Sequence, residues 1–256
     1  MKKQMSIMSY NPFSLEGKTI LVTGASSGIG KATAIECSKL GAQIVLTGRN
    51  EQRLIETKDQ LEGNNHFYVL ADLGIDSDLL NLVNLVPQLD GLVNNAGIQK
   101  YLPTQFINEN DLLRILRTNT IAPILLTRTL VKKKKMKNPS SIVFTSSLAG
   151  NYKCSPGNAM YSTSKGAISG FMRNAAIDLA AKGIRCNAVN PGMIVTPIMT
   201  ENSNLTAEQW EENKKLYPLK RFGQPEDVAH AIVYFLSDAS SWVTGSSLVI
   251  DGGRIL

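Results

Sequence analysis

The chain has 256 residues, of which 43% are hydrophobic and 19% charged, with a net charge of +6. That balance excludes a disordered chain and suffices for a sizeable core. No apolar run approaches the roughly 18 residues of a membrane span. Gln4, Ser6, Ser9 and Asn11 interrupt the stretch after Lys2 and Lys3, so neither a signal peptide nor a membrane protein is expected and the reading is cytoplasmic.

In chain order, residues 1–14 read as an N-terminal extension. Seven β-rich apolar runs follow: Thr19–Thr23, Gln43–Thr47, Phe67–Leu70, Gly91–Asn94, Ser141–Thr145, Ile184–Asn190 and Leu248–Ile250. Helical period marks Gly28–Leu40, Glu51–Leu61, Asp76–Val86, Glu109–Lys137, Ala159–Lys182 and Pro225–Ser237. Near-continuously apolar strands separated by helices predict an α/β fold, a doubly wound seven-stranded parallel sheet of Rossmann type with helices on both faces. No repeat or linker divides it, so residues 1–256 are expected to form one domain. Residues 198–216 break the rhythm with Asn202, Ser203 and Asn204 and a polar helix around Trp210; the segment is either a substrate lid or a surface excursion.

Lys132, Lys133, Lys134, Lys135 and Lys137 form a dense basic run. Lysines closing a helix explain it through the negative end of the helix dipole. Docking of an acidic partner or of nucleic acid is the alternative, although no aromatic residues interleave with the run and no nucleic-acid motif accompanies it. Cys37, Cys154 and Cys186 are odd in number, widely spaced and without a C-x-x-C pair. That excludes a disulfide framework or thiolate metal site and leaves buried or half-buried spectator thiols as the expectation.

The first strand runs into Gly24, Ala25, Ser26, Ser27, Gly28, Ile29 and Gly30 and then a helix. Glycines there permit the tight turn, close approach of a pyrophosphate and close helix packing, and the phosphates would lie at the helix N-terminus. The spacing is G-x-x-x-G-x-G rather than G-x-G-x-x-G. The second strand ends in Thr47-Gly48-Arg49-Asn50, with no acid to take a ribose 2′-hydroxyl, while the Arg49 fork suits a 2′-phosphate. NADP(H) is therefore favoured over NAD(H). Asp72, in Ala71-Asp72-Leu73, could accept from an adenine amino group, and Asn94-Asn95-Ala96-Gly97 offers small residues beside which a cofactor could lie.

Of seven tyrosines, only Tyr161 has a lysine four residues on, Lys165, which a helix would place on the same face. A nearby ammonium stabilises phenolate and would lower the phenol pKa, making a general acid-base pair for carbonyl reduction. Ser146 and Ser147 end the fifth strand, where such sheets present ligand-facing groups. Asn119 lies in the long helical segment before it. No metal ligand set is expected.

Together Thr23-Gly24-x-x-x-Gly28-x-Gly30, Asn94-Asn95-Ala96-Gly97, Asn119, Ser147, Tyr161-x-x-x-Lys165, Asn190-Pro191-Gly192, Pro225-Glu226-Asp227-Val228 and Asp251-Gly252-Gly253 resemble the short-chain dehydrogenase/reductase family, from Leu15 to Gly253. The look is nearest its 3-oxoacyl carrier-protein reductase branch. The resemblance implies that Tyr161 exchanges the proton, Lys165 lowers its pKa and bonds the nicotinamide ribose, Ser147 polarises the substrate oxygen and Asn119 holds a relay water. Ser147 is preferred to Ser146 because Leu148-Ala149-Gly150 matches the residues after the family's serine. Implied cofactor contacts are Gly24, Ser26, Ser27, Gly28, Ile29, Gly30, Arg49, Asp72, Leu73, Asn95, Ala96, Gly97, Tyr161, Lys165, Pro191, Gly192, Ile194 and Thr196.

Those readings add up to an NADP-dependent carbonyl reductase or alcohol dehydrogenase, expected as a homotetramer, with a 3-oxoacyl thioester as one substrate. The lysine run and Lys182 could then meet an acidic acyl carrier protein. Sugar, polyol and hydroxysteroid dehydrogenases share the motifs. A non-catalytic dinucleotide sensor or scaffold would be expected to lack one of the four catalytic residues, and a lyase or epimerase to carry a longer C-terminal domain.

Overall fold

The structure, a computed structural model, describes residues 10–201 and 206–256. The segment 1–9 of the expected N-terminal extension and residues 202–205 of the expected lid lie outside the described residues. Among the described residues seven strands make one parallel sheet: β1 (Thr19–Thr23), β2 (Gln43–Gly48), β3 (Phe67–Leu70), β4 (Leu89–Asn94), β5 (Met136–Thr145), β6 (Ile184–Pro191) and β7 (Ser247–Ile250). Their order is β3-β2-β1-β4-β5-β6-β7. Every residue of β1 is buried, as an apolar strand covered on both faces must be. The order reverses between β1 and β4, the point beyond whose carboxyl ends sheets of this kind take ligands in a crevice.

The helices are α1 (Gly28–Lys39), α2 (Glu51–Lys58), α3 (Asp76–Leu85), α4 (Glu109–Leu116), α5 (Ala122–Lys132), α6 (Leu148–Asn151), α7 (Ala159–Ala180), α8 (Pro197–Glu201), α9 (Ala207–Lys215) and α10 (Pro225–Leu236). Two apolar layers sandwich the sheet. One packs Leu82, Leu126, Leu130, Ile168 and Met172 from α3, α5 and α7 against Leu21, Leu92 and Phe144. The other packs Ala34, Cys37, Val228, Ile232 and Phe235 from α1 and α10 against Ile20, Val22 and Val143. Pro12 accepts from the Ala239 amide at 2.9 Å and fully buried Leu15 donates to Leu40 at 2.9 Å, so residues 10–15 are tied to the body of the domain.

The expected helix Glu109–Lys137 ends early, at Lys132, and is not α-helical throughout. It opens into a π-helical turn at Arg117–Ile121, resumes as α5 with Pro123 in its first turn, and stops at Lys132. Lys134 takes φ +55°, which breaks the helix, and Met136 and Lys137 already belong to β5. The lysines therefore mostly close a neighbouring helix rather than their own. Lys133 donates to Asn84 Oδ1 (2.7 Å), and Lys135 donates to the carbonyls of Asn84 (3.3 Å) and Val86 (2.6 Å) at the end of α3. Lys137 pairs with Asp90 at 2.8 Å. The run leads into β5 and Lys182 into β6, which places both at the amino ends of those strands, opposite the ends after which Ser147 and Gly192 follow. Of the thiols, Cys37 and Cys186 are buried, whereas Cys154 is exposed rather than half-buried because it stands in the loop between α6 and α7.

In the segment expected as a lid, Thr206 and Gln209 form a reciprocal capping box that starts α9. Trp210 meets Phe222 edge-on at 5.3 Å. No helix among the described residues is long and apolar enough to cross a membrane.

Candidate active site

The loop from β1 into α1 is shaped by its glycines. Gly24 and Gly28 adopt φ +63° and +52°, in the left-handed region where side chains are strained. A Cβ on Gly30 would stand 2.3 Å from the Gly24 carbonyl oxygen and 2.5 Å from Asn95 Nδ2. The third glycine thus lets the helix close onto its own loop. Ser27 caps α1 without a side-chain hydrogen bond, and the first turn carries no acid. The first-turn amides therefore face the crevice without an internal anion, the arrangement that takes a pyrophosphate.

Thr23 and Asn95 lock this loop to β4. Thr23 Oγ1 donates to Val93 O (3.1 Å) and accepts from the amides of Asn95 (2.9 Å) and Ala96 (3.0 Å). Asn95 Nδ2 donates to Thr23 O at 3.1 Å and to Gly24 O at 3.4 Å. The Asn95 side chain is thus a brace for the loop. Thr196 reaches over the same loop, its Cγ2 3.0 Å from where a Gly28 Cβ would lie. Ser26 Oγ comes beside Gly48 at the end of β2, 3.4 Å from the position of a Cβ there. Gly192 follows Pro191, the last residue of β6, and donates to Ile250 O at 2.9 Å. Leu73 and Ile194 turn their side chains into the core, so only their backbone could meet a ligand.

Arg49 follows β2 with its side chain 60% exposed, 3.9 Å from Asp72 across the end of the crevice. A pair this open and this long contributes roughly 0–1 kcal/mol, so the guanidinium is free to turn to a phosphate. Asp72 Oδ1 meanwhile accepts from the Gly74 amide at 2.8 Å.

Tyr161 and Lys165 stand one turn apart on α7, as their spacing predicts. Lys165 is buried, its ammonium donating to Thr145 O at 2.7 Å and lying 5.6 Å from the Tyr161 ring centre. Ser147 closes β5 and caps α6, accepting from the Ala149 amide at 3.2 Å, and it hydrogen-bonds the Tyr161 phenol. Ser146 faces the other way. Buried, it bonds Lys165 O (3.1 Å) and Ser169 Oγ (2.9 Å), so Ser147 is the hydroxyl presented to the crevice. Gly97 clears the space between these groups: a Cβ there would lie 3.4 Å from Asn119 Oδ1 and 3.6 Å from Lys165 Nζ.

Asn119 sits in the π-helical turn, a distortion found often at functional sites. Its side chain accepts from the Ile98 amide (2.8 Å) and donates to Ile98 O (2.9 Å) and Ser164 Oγ (3.0 Å). Both amide hydrogens are used, and one Oδ1 lone pair remains. The side chain thus pins the loop after β4 to α7.

Electrostatics depart from the sequence reading at one point. Burial pushes the Tyr161 phenol up to about 12; the Ser147 hydrogen bond pulls it back in part, and nearby Tyr101 adds to the rise. Burial outweighs any pull from Lys165, whose ammonium donates to the Thr145 carbonyl. Burial also draws Lys165 down to about 8. Tyr161 is therefore a protonated donor at neutral pH, and Lys165 is a cation near its titration point.

Sequence reasoning passed over three contributors. Ser164 accepts from Asn119 and donates to Tyr161 O at 2.7 Å, tying the two together. Thr145 contributes a main-chain carbonyl, which sequence cannot single out. Tyr101 comes near Tyr161 from a loop whose path only the fold defines.

Comparison with known proteins gives this geometry a family. Residues 24–254 match the family described as Enoyl-(Acyl carrier protein) reductase. The chain is similar to a 3-oxoacyl-[acyl-carrier-protein] reductase of Rickettsia felis, 34% identical over 242 residues that cover 94% of this chain and 98% of the relative. Glucose 1-dehydrogenase of Gluconobacter oxydans is also 34% identical, covering 94% and 92%. A 3-ketoacyl-(acyl-carrier-protein) reductase structure from Brucella melitensis, complexed with NADH, superposes with a TM-score of 0.86 at 30% identity, over 95% of this chain and all of its own. The chain belongs to the short-chain dehydrogenase/reductase family, oxidoreductases that bind a nicotinamide dinucleotide.

Proposed function

We propose that the chain is an NADP(H)-dependent carbonyl reductase, or alcohol dehydrogenase in reverse, with Tyr161 as its proton donor. The observation that carries this reading is the half-buried phenol bonded by Ser147 and held protonated up to about pH 12. The loop fits a dinucleotide, since its glycines hold a tight left-handed turn ahead of the α1 N-terminus, whose first turn carries no acid. Gly24–Gly30 would hold the pyrophosphate, Arg49 with Ser26 the 2′-phosphate, and Thr196 and Lys165 the nicotinamide end. When bound, the reduced dinucleotide supplies a hydride to the carbonyl carbon. Ser147 orients the carbonyl oxygen through its hydroxyl. Tyr161 then gives its phenolic proton to that oxygen, which completes the alcohol, and the Lys165 ammonium stabilises the phenolate left behind.

A 3-oxoacyl thioester is the first substrate candidate, from the Rickettsia felis relative. The equal identity to a glucose 1-dehydrogenase favours a sugar or polyol as the second. The test is NADPH oxidation against 3-oxoacyl thioesters, keto-sugars and ketosteroids, with Tyr161→Phe alongside. Turnover of at least one class, lost in the variant while dinucleotide still binds, is expected. Activity retained in Tyr161→Phe overturns the assignment. Leu113 on α4 and Ile177 on α7, exposed and apolar on packed neighbouring helices, support self-association as a homotetramer. Light scattering at the mass of one chain would refute it.

A further inference from the structure

Two cations at the crevice are left unused by the chemistry above. Lys153 lies one turn past Ser147: α6 ends with the amides of Tyr152 and Lys153 both donating to Leu148 O, at 2.8 and 3.0 Å. Arg254 arrives from the other direction, through the Asp251-Gly252-Gly253 turn after β7, its amide donating to Asp251 O at 3.2 Å. The segments meet at Gly192, where a Cβ would lie 3.0 Å from Asp251 Cβ and 3.6 Å from Leu148 Cδ1. Both cations therefore stand at the carboxyl ends of β5, β6 and β7, on the side where Ser147 and Tyr161 are presented.

Arg254 is held in place. Its guanidinium lies 5.7 Å from the ring centre of Tyr217, which is buried and hydrogen-bonds to the Met193 backbone. The nearby carboxylate of Asp251 is occupied, accepting from the amides of Gly253 (2.8 Å) and Ile255 (3.0 Å). Among the described residues no carboxylate lies within 4.0 Å of either cation. Burial first, and then the charge of Arg254, draw the Lys153 ammonium below its usual range, while Asp251 offsets this in part. Two neighbouring cations that share a single carboxylate, which lies beyond ion-pair distance of both, carry an excess of positive charge that an anion would relieve. A guanidinium fork with an ammonium within its electrostatic reach is a fitting receptor for a carboxylate or phosphate.

We propose that Lys153 and Arg254 form an anion-recognising subsite, and that the substrate carries a carboxylate or phosphate away from its reacting carbon. This rests on the reductase reading above and narrows it to acidic oxo and hydroxy compounds. The two sources of the anion are an organic acid and a phosphorylated carrier arm.

Matched substrate pairs separate them: 5-oxohexanoate against its amide, and 3-oxobutanoyl-4′-phosphopantetheine against 3-oxobutanoyl-pantetheine. In at least one pair kcat/KM should favour the charged member tenfold or more. That ratio should fall at least tenfold in Arg254→Gln and in Lys153→Gln, with part of it retained in Arg254→Lys. Calorimetry gives a readout independent of turnover. With saturating NADPH occupying the glycine loop, gluconate or inorganic phosphate should bind the full chain, and Arg254→Gln should weaken that binding tenfold. If no substrate turns over, the reductase reading fails and calorimetry alone decides the subsite. Turnover indifferent to charge in both pairs, or anion binding equal in chain and variant, overturns the inference.

Discussion

Gly30→Ala adds a single methyl at the point where the dinucleotide loop folds back on itself. That Cβ would stand 2.3 Å from Gly24 O and 2.5 Å from Asn95 Nδ2, whereas ordinary contact begins at 3.4 Å, so about 1 Å must be found. Neither obstacle yields readily. One is backbone, and the other is anchored on Thr23 O at 3.1 Å. Overpacking of this kind costs about 1–3 kcal/mol, and a chain of this size loses roughly 2–4 °C in Tm per kcal/mol. The matched control is Gly170→Ala on α7, where a Cβ meets nothing within 4 Å. There the same change should stabilise by about 0.5–1 kcal/mol, because alanine loses less backbone entropy in a helix. Urea unfolding followed by circular dichroism reads both, and NADPH fluorescence titration should show dinucleotide affinity reduced at least tenfold in Gly30→Ala alone. The same unfolding midpoint and affinity as the unaltered chain would refute the reasoning about the loop.

Arg49→Ala should weaken NADPH binding about tenfold or more, the worth of a charge-assisted contact, and leave NADH binding nearly as it was; equal losses in a titration with both would remove the phosphate-clamp role. Ser164→Ala strands the Nδ2 donor of Asn119, so denaturant unfolding should show about 1–3 kcal/mol lost, together with a lower kcat; an unchanged kcat would mean that the link to Tyr161 is without consequence. Lys165 titrates near 8 when folded against an ordinary lysine value of 10.5, so the unfolded chain holds the extra proton between those values and stability rises with pH across that window. Relative to Lys165→Met, which cannot titrate, the unaltered chain should therefore gain about 2 kcal/mol between pH 8 and pH 10. A flat difference in paired denaturation curves would count against a buried, desolvated ammonium.

How far each feature could be read beforehand depends on how local it is. β1 and β3 were legible end to end, since their apolar runs stop at turn residues. The π-helical turn after Leu116 and the end of α5 at Lys132 were not, because helical periodicity continues through both and Lys134 carries no signal for its positive φ. In the site, Tyr161 and Lys165 were legible as one turn of one helix. The choice of Ser147 over Ser146 rested on resemblance in the sequence, and on strand geometry in the fold, which turns Ser146 into the core. The bonds that fix Asn119 depend on a loop and a second helix, so its identity was visible and its engagement was not. Lys153 and Arg254 mark the far end of this progression: nothing in their spacing relates them, and only the meeting of two loops over Gly192 makes them neighbours. The reacting groups of such a fold lie close together in sequence because one helix and one strand end must hold them to a fixed geometry. The groups that choose the substrate are spread over separate loops, which can change without disturbing the chemistry, and their pairing has to be read from the fold.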